Sequence, residues 1–213
     1  MATAFNIIKS MTKRGNVIIG SGCYAAALES LSHMDRIIKI GNNLNDPWLC
    51  YYKEIIEPNQ DNPCVPKIFS LNIQDNDSYY VCIMERLVAS SYLSGDVFKA
   101  KSAIRDYIIG SIDRNQWLDI IVNFPKLVPH PGYMLQIMDK IRDRSDLDDE
   151  CEYDDYDDQW NVRRVDLHTD NILQRKNGQL VITDPWCNSE DLMAELLDVS
   201  HWVDEHINSY SII

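Results

Sequence analysis

No apolar run in the sequence approaches the roughly 20 residues that a membrane-spanning helix needs, so nothing reads as a span. The opening stretch, MATAFNIIKSMTKRGN, has no apolar segment of signal-peptide length and is broken by Lys9, Lys13 and Arg14. Zinc-like cysteine spacing is missing too. Cys23, Cys50, Cys64, Cys82, Cys151 and Cys187 make no CxxC pair, which points to reduced thiols in a cytosol. Basic residues are scarce: 20 Lys and Arg against 33 Asp and Glu give a net charge of −13, which excludes direct binding to duplex nucleic acid as a simple electrostatic partner. Most of the excess lies in one run, Asp146–Asp158 (DLDDECEYDDYDD), with nine acids and no base. That run reads as a solvated loop, with docking of basic substrates as its alternative. HWVDEH near the end lacks the HExxH order, and His201 and His206 are five apart, so it reads as a surface helix rather than a metal site.

What is present is a chain of 213 residues, 45% hydrophobic, enough for one domain or two small lobes with a real core. Residues 16–40 read as strand, Gly-bearing turn, strand, loop, strand, because short Val- and Ile-rich runs alternate with Gly, Ser and Asp. Residues 47–57, PWLCYYKEIIE, carry apolar positions at helical spacing, with Asp46 as a cap and Pro47 at the first position. VPKIFSL and SYYVCIMERL read as two more strands around the polar turn NIQDND. From about residue 88 the period changes: SGDVFKAKSAIRDYIIGSI and YMLQIMDKIRDRSD read as helices. VRRVDLHTDNIL and QLVITD follow, joined by RKNG, where Asn177-Gly178 is a strong hairpin signal. SEDLMAELLDVSHWVDEHI reads as a last helix capped by Ser189. The expected class is α+β, with a β-rich lobe over residues 1–87 and a mainly helical lobe over 88–213.

Four constellations carry chemistry. Gly20-Ser21-Gly22 is either an ordinary hairpin turn or a glycine flap whose backbone N–H groups approach phosphates; no helix follows directly, so it does not read as a Rossmann turn. Lys39, between Ile38 and Ile40, either points to solvent or faces those phosphates, with Glu54 fifteen residues on as its carboxylate partner and Glu57 in reserve. The Glu85–Leu87 backbone suits an adenine edge, with Met84 behind it; plain core and linker is the alternative. The strongest signal is VDLHTDNILQRKNGQLVITDPW, Val165–Trp186. Asp166 and Asn171 are five apart, and a hairpin returns Asp184 beside Asn171. An amide oxygen and a carboxylate are suitable hard ligands for magnesium, and Asp166 can accept a hydroxyl proton. Taken singly, these three are a common cap and two turn residues.

The order Gly loop, strand Lys, helix Glu, D-x4-N and Asp-initiated turn resembles that of a protein kinase. IGSGCYAAALESLSHMDRIIKIG and DLHTDNILQRKNGQLVITDP are similar to the early serine/threonine kinases of T-seven-like bacteriophages, over roughly residues 16–60 and 162–190. The resemblance implies a kinase-like bilobal fold with a reduced C-terminal lobe. It implies Asp166 as catalytic base, Lys39 on the nucleotide phosphates, and Asn171 and Asp184 on Mg2+, with ATP as the donor. It also implies host proteins as substrates, such as transcription or RNA-processing machinery, in the infected bacterial cytoplasm. The pattern departs from regulated kinases in four places. Val165 replaces the Arg that pairs with a phosphorylated loop, which implies activity without an activating phosphosite. His168 stands where Lys is common, and is expected to contact the γ-phosphate or stiffen the loop. Asp184-Pro185-Trp186 replaces Asp-Phe-Gly, which implies a turn less free to flip. Between Asp184 and Ile213 there is no room for a long activation segment. A small-molecule phosphotransferase of the aminoglycoside type is the second reading, and a kinase-like binding module that inhibits a host enzyme by docking is the third.

Overall fold

The computed structural model describes residues 3–41, 46–74, 79–89, 95–145, 164–167, 171–187 and 199–206. The acidic run, His168 and the first part of the last expected helix lie outside the described residues. The class is α+β, as the sequence implies. Contacts divide the chain into two compact units: Met1–Asp46 with Lys67–Arg86 and Glu190–Ile213, and Pro47–Pro66 with Leu87–Ser189.

The first unit is built on an antiparallel sheet of β1 (Ile18–Ser21), β2 (Ala25–Glu29), β3 (Arg36–Gly41), β4 (Ile68–Gln74) and β5 (Tyr79–Glu85), in the order β1-β2-β3-β5-β4. Strand periodicity sets its faces. Ile38 and Ile40 join Ala26, Leu28 and Tyr79 on the face packed with helix α1 (Ala4–Lys13) and a C-terminal helix, Val199–His206. Ile8, Leu28 and Ile40 are fully buried there, each contributing about 1.5–3 kcal/mol of transfer free energy. The N-terminal helix begins at Thr3, whose hydroxyl accepts from Asn6 N–H at 3.3 Å. Sequence reading left this helix unassigned, although Ala4, Phe5, Ile7, Ile8 and Met11 carry its apolar face.

The second unit contains α2 (Pro47–Tyr51), which continues as a π-helical turn, Tyr52–Ile56, and a 3-10 turn, Glu57–Asn59. Three longer helices follow: α3 (Gly95–Ile108), α4 (Arg114–Ile121) and α5 (Pro131–Arg144). The second of these was not anticipated, yet Asp113 and Gln116 form a complete capping box at its start. Then come β6 (Arg164–Val165), β7 (Ile172–Gln174), β8 (Leu180–Ile182) and β9 (Trp186–Cys187), paired as β6–β9 and β7–β8. Counting on, the Val199–His206 helix is α6.

One reading needs correction. The fourth strand runs through Asn72, Ile73 and Gln74, part of the stretch read as a polar turn, because β5 supplies backbone partners as far as Tyr79. By their contacts, residues 47–66 group with the later chain and the C-terminal helix groups with the sheet. The physical reason is hydrogen bonding and burial. Asn62 Nδ2 donates to Tyr133 O at 3.1 Å and Lys140 Nζ to Asn59 Oδ1 at 2.8 Å, while Val199 and Val203 fill the core of the sheet unit.

Candidate active site

In the second unit, Asp166, Asn171 and Asp184 sit on one hydrogen-bonded frame. The hairpin that carries it turns at Gly178, whose φ of +93° suits glycine, and Asn177 Oδ1 accepts Gln179 N–H at 3.1 Å. Ile172 then stands opposite Ile182. Thr183, just before Asp184, donates to Asn171 O through its N–H at 2.9 Å and its hydroxyl at 3.0 Å. Pro185, just after Asp184, accepts Asp166 N–H on its carbonyl at 2.8 Å. Asn171 Nδ2 donates to Asp166 O at 2.5 Å. An amide oxygen such as that of Asn171 is of the hard donor type that magnesium takes. All three residues are partly exposed, between buried Leu167, Ile172, Ile182 and Trp186.

Among the described residues, no group of three or more His, Cys, Asp or Glu side chains could hold a metal ion by itself. A dedicated protein cage is therefore not what these residues make. The pair Asn171 and Asp184 still fits magnesium, because that ion keeps waters and is commonly held by one or two protein oxygens together with substrate phosphates.

The turn around Asp184 is held by residues that sequence reading did not single out. Tyr51 donates its hydroxyl to Ile182 O at 2.9 Å, and its ring meets Trp186 edge-on at 5.7 Å. Burial, with the charges of Asp184 and Cys64 adding to it, raises the Tyr51 phenol well above its ordinary range. Ile182 N–H donates to Cys64 O at 3.1 Å. Arg175 donates to Pro63 O and, at 3.0 Å, to Val65 O; Gln179 also reaches Pro63 O at 2.9 Å. Nothing in the spacing of PWLCYYKEII marks Tyr51 for this place; only the folded hairpin does. Glu54 lies in the π-helical turn with Oε2 3.7 Å from Arg144 Nη1, and Glu57 accepts from Tyr52 Oη at 3.2 Å.

In the first unit, Lys39 stands opposite Ala27 and Cys82, on the sheet face turned from α1 and the C-terminal helix. Burial pushes the Cys82 thiol up to about 12, while the charge of Lys39 acts in the opposite sense. Gly20, Ser21 and Gly22 are exposed at the β1–β2 turn. Neither glycine has a positive φ, and a Cβ at either would meet no atom within 4 Å. Internal packing thus gives no reason for glycine there, though Gly95 and Gly132 are equally open. Glu85 N–H is taken by Lys67 O at 2.9 Å and Arg86 N–H by Asp35 O at 2.8 Å; among the described residues Leu87 N–H has no such partner. Met84 is buried on β5. The structure thus joins Asp166, Asn171 and Asp184 in one unit and sets Gly20, Gly22, Lys39 and Glu85 in the other, with Glu54 and Leu87 in the same unit as Asp184.

No family model matches the sequence, and no curated protein matches it. Among solved structures, a mutant aminoglycoside 2′-phosphotransferase-IIIa in complex with GDP aligns over 86% of this chain and 74% of its own. Its identity is 12% and its TM-score 0.38, a likeness too slight to carry an argument. Among the described residues, no helix is long and apolar enough to cross a membrane.

Proposed function

We propose that this chain is an ATP-dependent protein kinase that transfers the γ-phosphoryl group to Ser or Thr hydroxyls of host proteins in an infected bacterial cytoplasm. The observation that carries the reading is the frame in which Asn171 and Thr183 bond on one side of Asp184 and Asp166 bonds to Pro185 on the other. Two hard oxygen ligands and a separate carboxylate are what phosphoryl transfer needs. Asp166 accepts the proton of the acceptor hydroxyl, whose oxygen forms the new bond to the γ-phosphorus while the bond to ADP breaks. Lys39 holds phosphate oxygens, the exposed Gly20-Ser21-Gly22 turn lets backbone come close to them although Gly22 N–H itself is spent on Ala25 O at 2.9 Å, and Leu87 N–H serves the adenine edge. Asn171 and Asp184 would hold magnesium, which supplies neutralisation of the developing negative charge when bound. His168, two residues after Asp166 in sequence, contacts the γ-phosphate or stiffens the chain there.

Incubation with labelled ATP and magnesium tests the reading. Label should enter proteins with the wild type and be lost with Asp166→Ala and Asp184→Ala. Label in small hydroxylated compounds alone would select the aminoglycoside-type reading, which DLHTDN favours. A biological effect that survives Asp166→Ala would select docking without catalysis.

A further inference from the structure

We propose that Tyr51 is a positioning residue for the Asp184 carboxylate, holding the chain on both sides of the turn at once. Its hydroxyl donates to the carbonyl of Ile182, two residues before Asp184, at 2.9 Å. Its ring packs at 82° against Trp186, two residues after Asp184. Trp186 is fixed in turn: its indole N–H donates to Ser145 Oγ at 3.0 Å, and Ser145 donates to Ile141 O at 2.7 Å in the last turn of α5. The Ile182 amide is held by Cys64 O, in the segment that follows the Tyr51 helix. Tyr51 is wholly buried, so its hydroxyl cannot exchange this bond for water.

The consequence concerns ligand geometry. Magnesium demands near-octahedral placement of its oxygens, so a carboxylate on a wandering turn binds it more weakly than one on a fixed turn. Tyr51 is not a catalytic residue, because its hydroxyl is spent on a backbone carbonyl. The inference rests on reading Asp184 as a metal ligand, and the experiment separates the two.

Full-length wild type, Tyr51→Phe, Ser145→Ala and Asp184→Ala are compared for Mn2+ affinity in the presence of a non-hydrolysable ATP analogue. Water-proton relaxation distinguishes protein-held ion from ion on the nucleotide alone, and thermal unfolding is followed alongside. Asp184→Ala should lose the protein-held ion. Tyr51→Phe should weaken it about 2- to 10-fold, the range one buried hydrogen bond commands. Ser145→Ala frees the Trp186 indole and should shift affinity in the same direction; it carries the test if Tyr51→Phe does not fold. A lower melting temperature with wild-type Mn2+ affinity in both variants, while Asp184→Ala loses the ion, overturns the inference and leaves the functional reading standing. Wild-type affinity in Asp184→Ala removes both.

Discussion

Replacing Gly41 by alanine should destabilise the sheet unit sharply. Gly41 ends β3 directly opposite Tyr80 on β5, and the Tyr80 ring lies across the space a side chain would need. A methyl there would collide with Cε1 and Cζ of Tyr80 and sit 2.8 Å from its hydroxyl oxygen. The ring cannot step aside freely, because Tyr80 is fully buried and its hydroxyl donates to the buried Asp46 carboxylate at 2.5 Å. Overpacking costs about 1–3 kcal/mol, and loss of a hydrogen bond to a charged group about 1.5–3 kcal/mol. Together these give about 2.5–6 kcal/mol, which at about 2–4 °C per kcal/mol lowers the melting temperature by at least about 5 °C. Differential scanning calorimetry of Gly41→Ala measures this directly. Repeating the substitution in a Tyr80→Leu background removes the obstruction, and Gly41→Ala should then cost less than about 1 kcal/mol. A shift below about 3 °C in the single variant, or an undiminished penalty in the double one, would refute the account of this pair.

Gly20→Ala and Gly22→Ala should leave the melting temperature within about 2 °C of wild type, since neither position is crowded or left-handed, and should raise the ATP concentration for half-saturation several-fold. An unchanged ATP dependence would argue against a phosphate-facing flap. Burial raises the thiols of Cys64 and Cys82 from 9.0 to about 12, favouring their neutral form in the folded chain. The stability this contributes is whole below about pH 9 and is lost as pH climbs from there through about 12. Urea midpoints at pH 8 and pH 10.5 should therefore fall with pH, and the fall should be smaller in Cys64→Ala with Cys82→Ala; equal falls would contradict the assignment. Pro185→Ala keeps the carbonyl that Asp166 uses, so it should cost only about 0.4–1 kcal/mol and leave Mn2+ affinity within about twofold. A larger loss than in Tyr51→Phe would mean that the proline ring itself holds the turn.

The parts of this structure that the sequence made legible are those with short-range chemistry. Asn177-Gly178 specifies its own turn, so the return of Asp184 to the side of Asn171 follows from local rules. The alternation of Ile38, Lys39 and Ile40 on a strand follows from period two, although which face Lys39 takes was open until the core of α1 and the C-terminal helix fixed Ile38 and Ile40. What stayed illegible depends on long-range partners. The Tyr51 hydroxyl reaches Ile182, 131 residues away in sequence, and Arg175 reaches Val65, 110 residues away. A tyrosine in an apolar run reads as ordinary core, and an arginine beside a hairpin turn reads as an exposed charge. The grouping of residues 47–66 with the later helices was hidden for the same reason, since its bonds to α5 and the hairpin leave no periodic mark.

The proline in Asp184-Pro185-Trp186 suggested a stiff turn through its own restricted φ. The folded chain supplies stronger restraints than that ring. Val165 pairs with Trp186 in a short ladder, Asp166 N–H closes on Pro185 O, Thr183 closes on Asn171 O, and Tyr51 and Ser145 fix the residues outside them. Ile182, Thr183, Pro185 and Trp186 thus each have a bond or ladder partner in a different segment. Moving Asp184 out of place would require several of these to break together, each costing about 0.5–1.5 kcal/mol net and more where the freed group stays buried. The regulated kinases that the sequence resembles control this position by flipping the turn. Here the same five residues are braced by the helix of Tyr51, by α5, and by Val165, Asp166 and Asn171, so the turn is held from several segments at once.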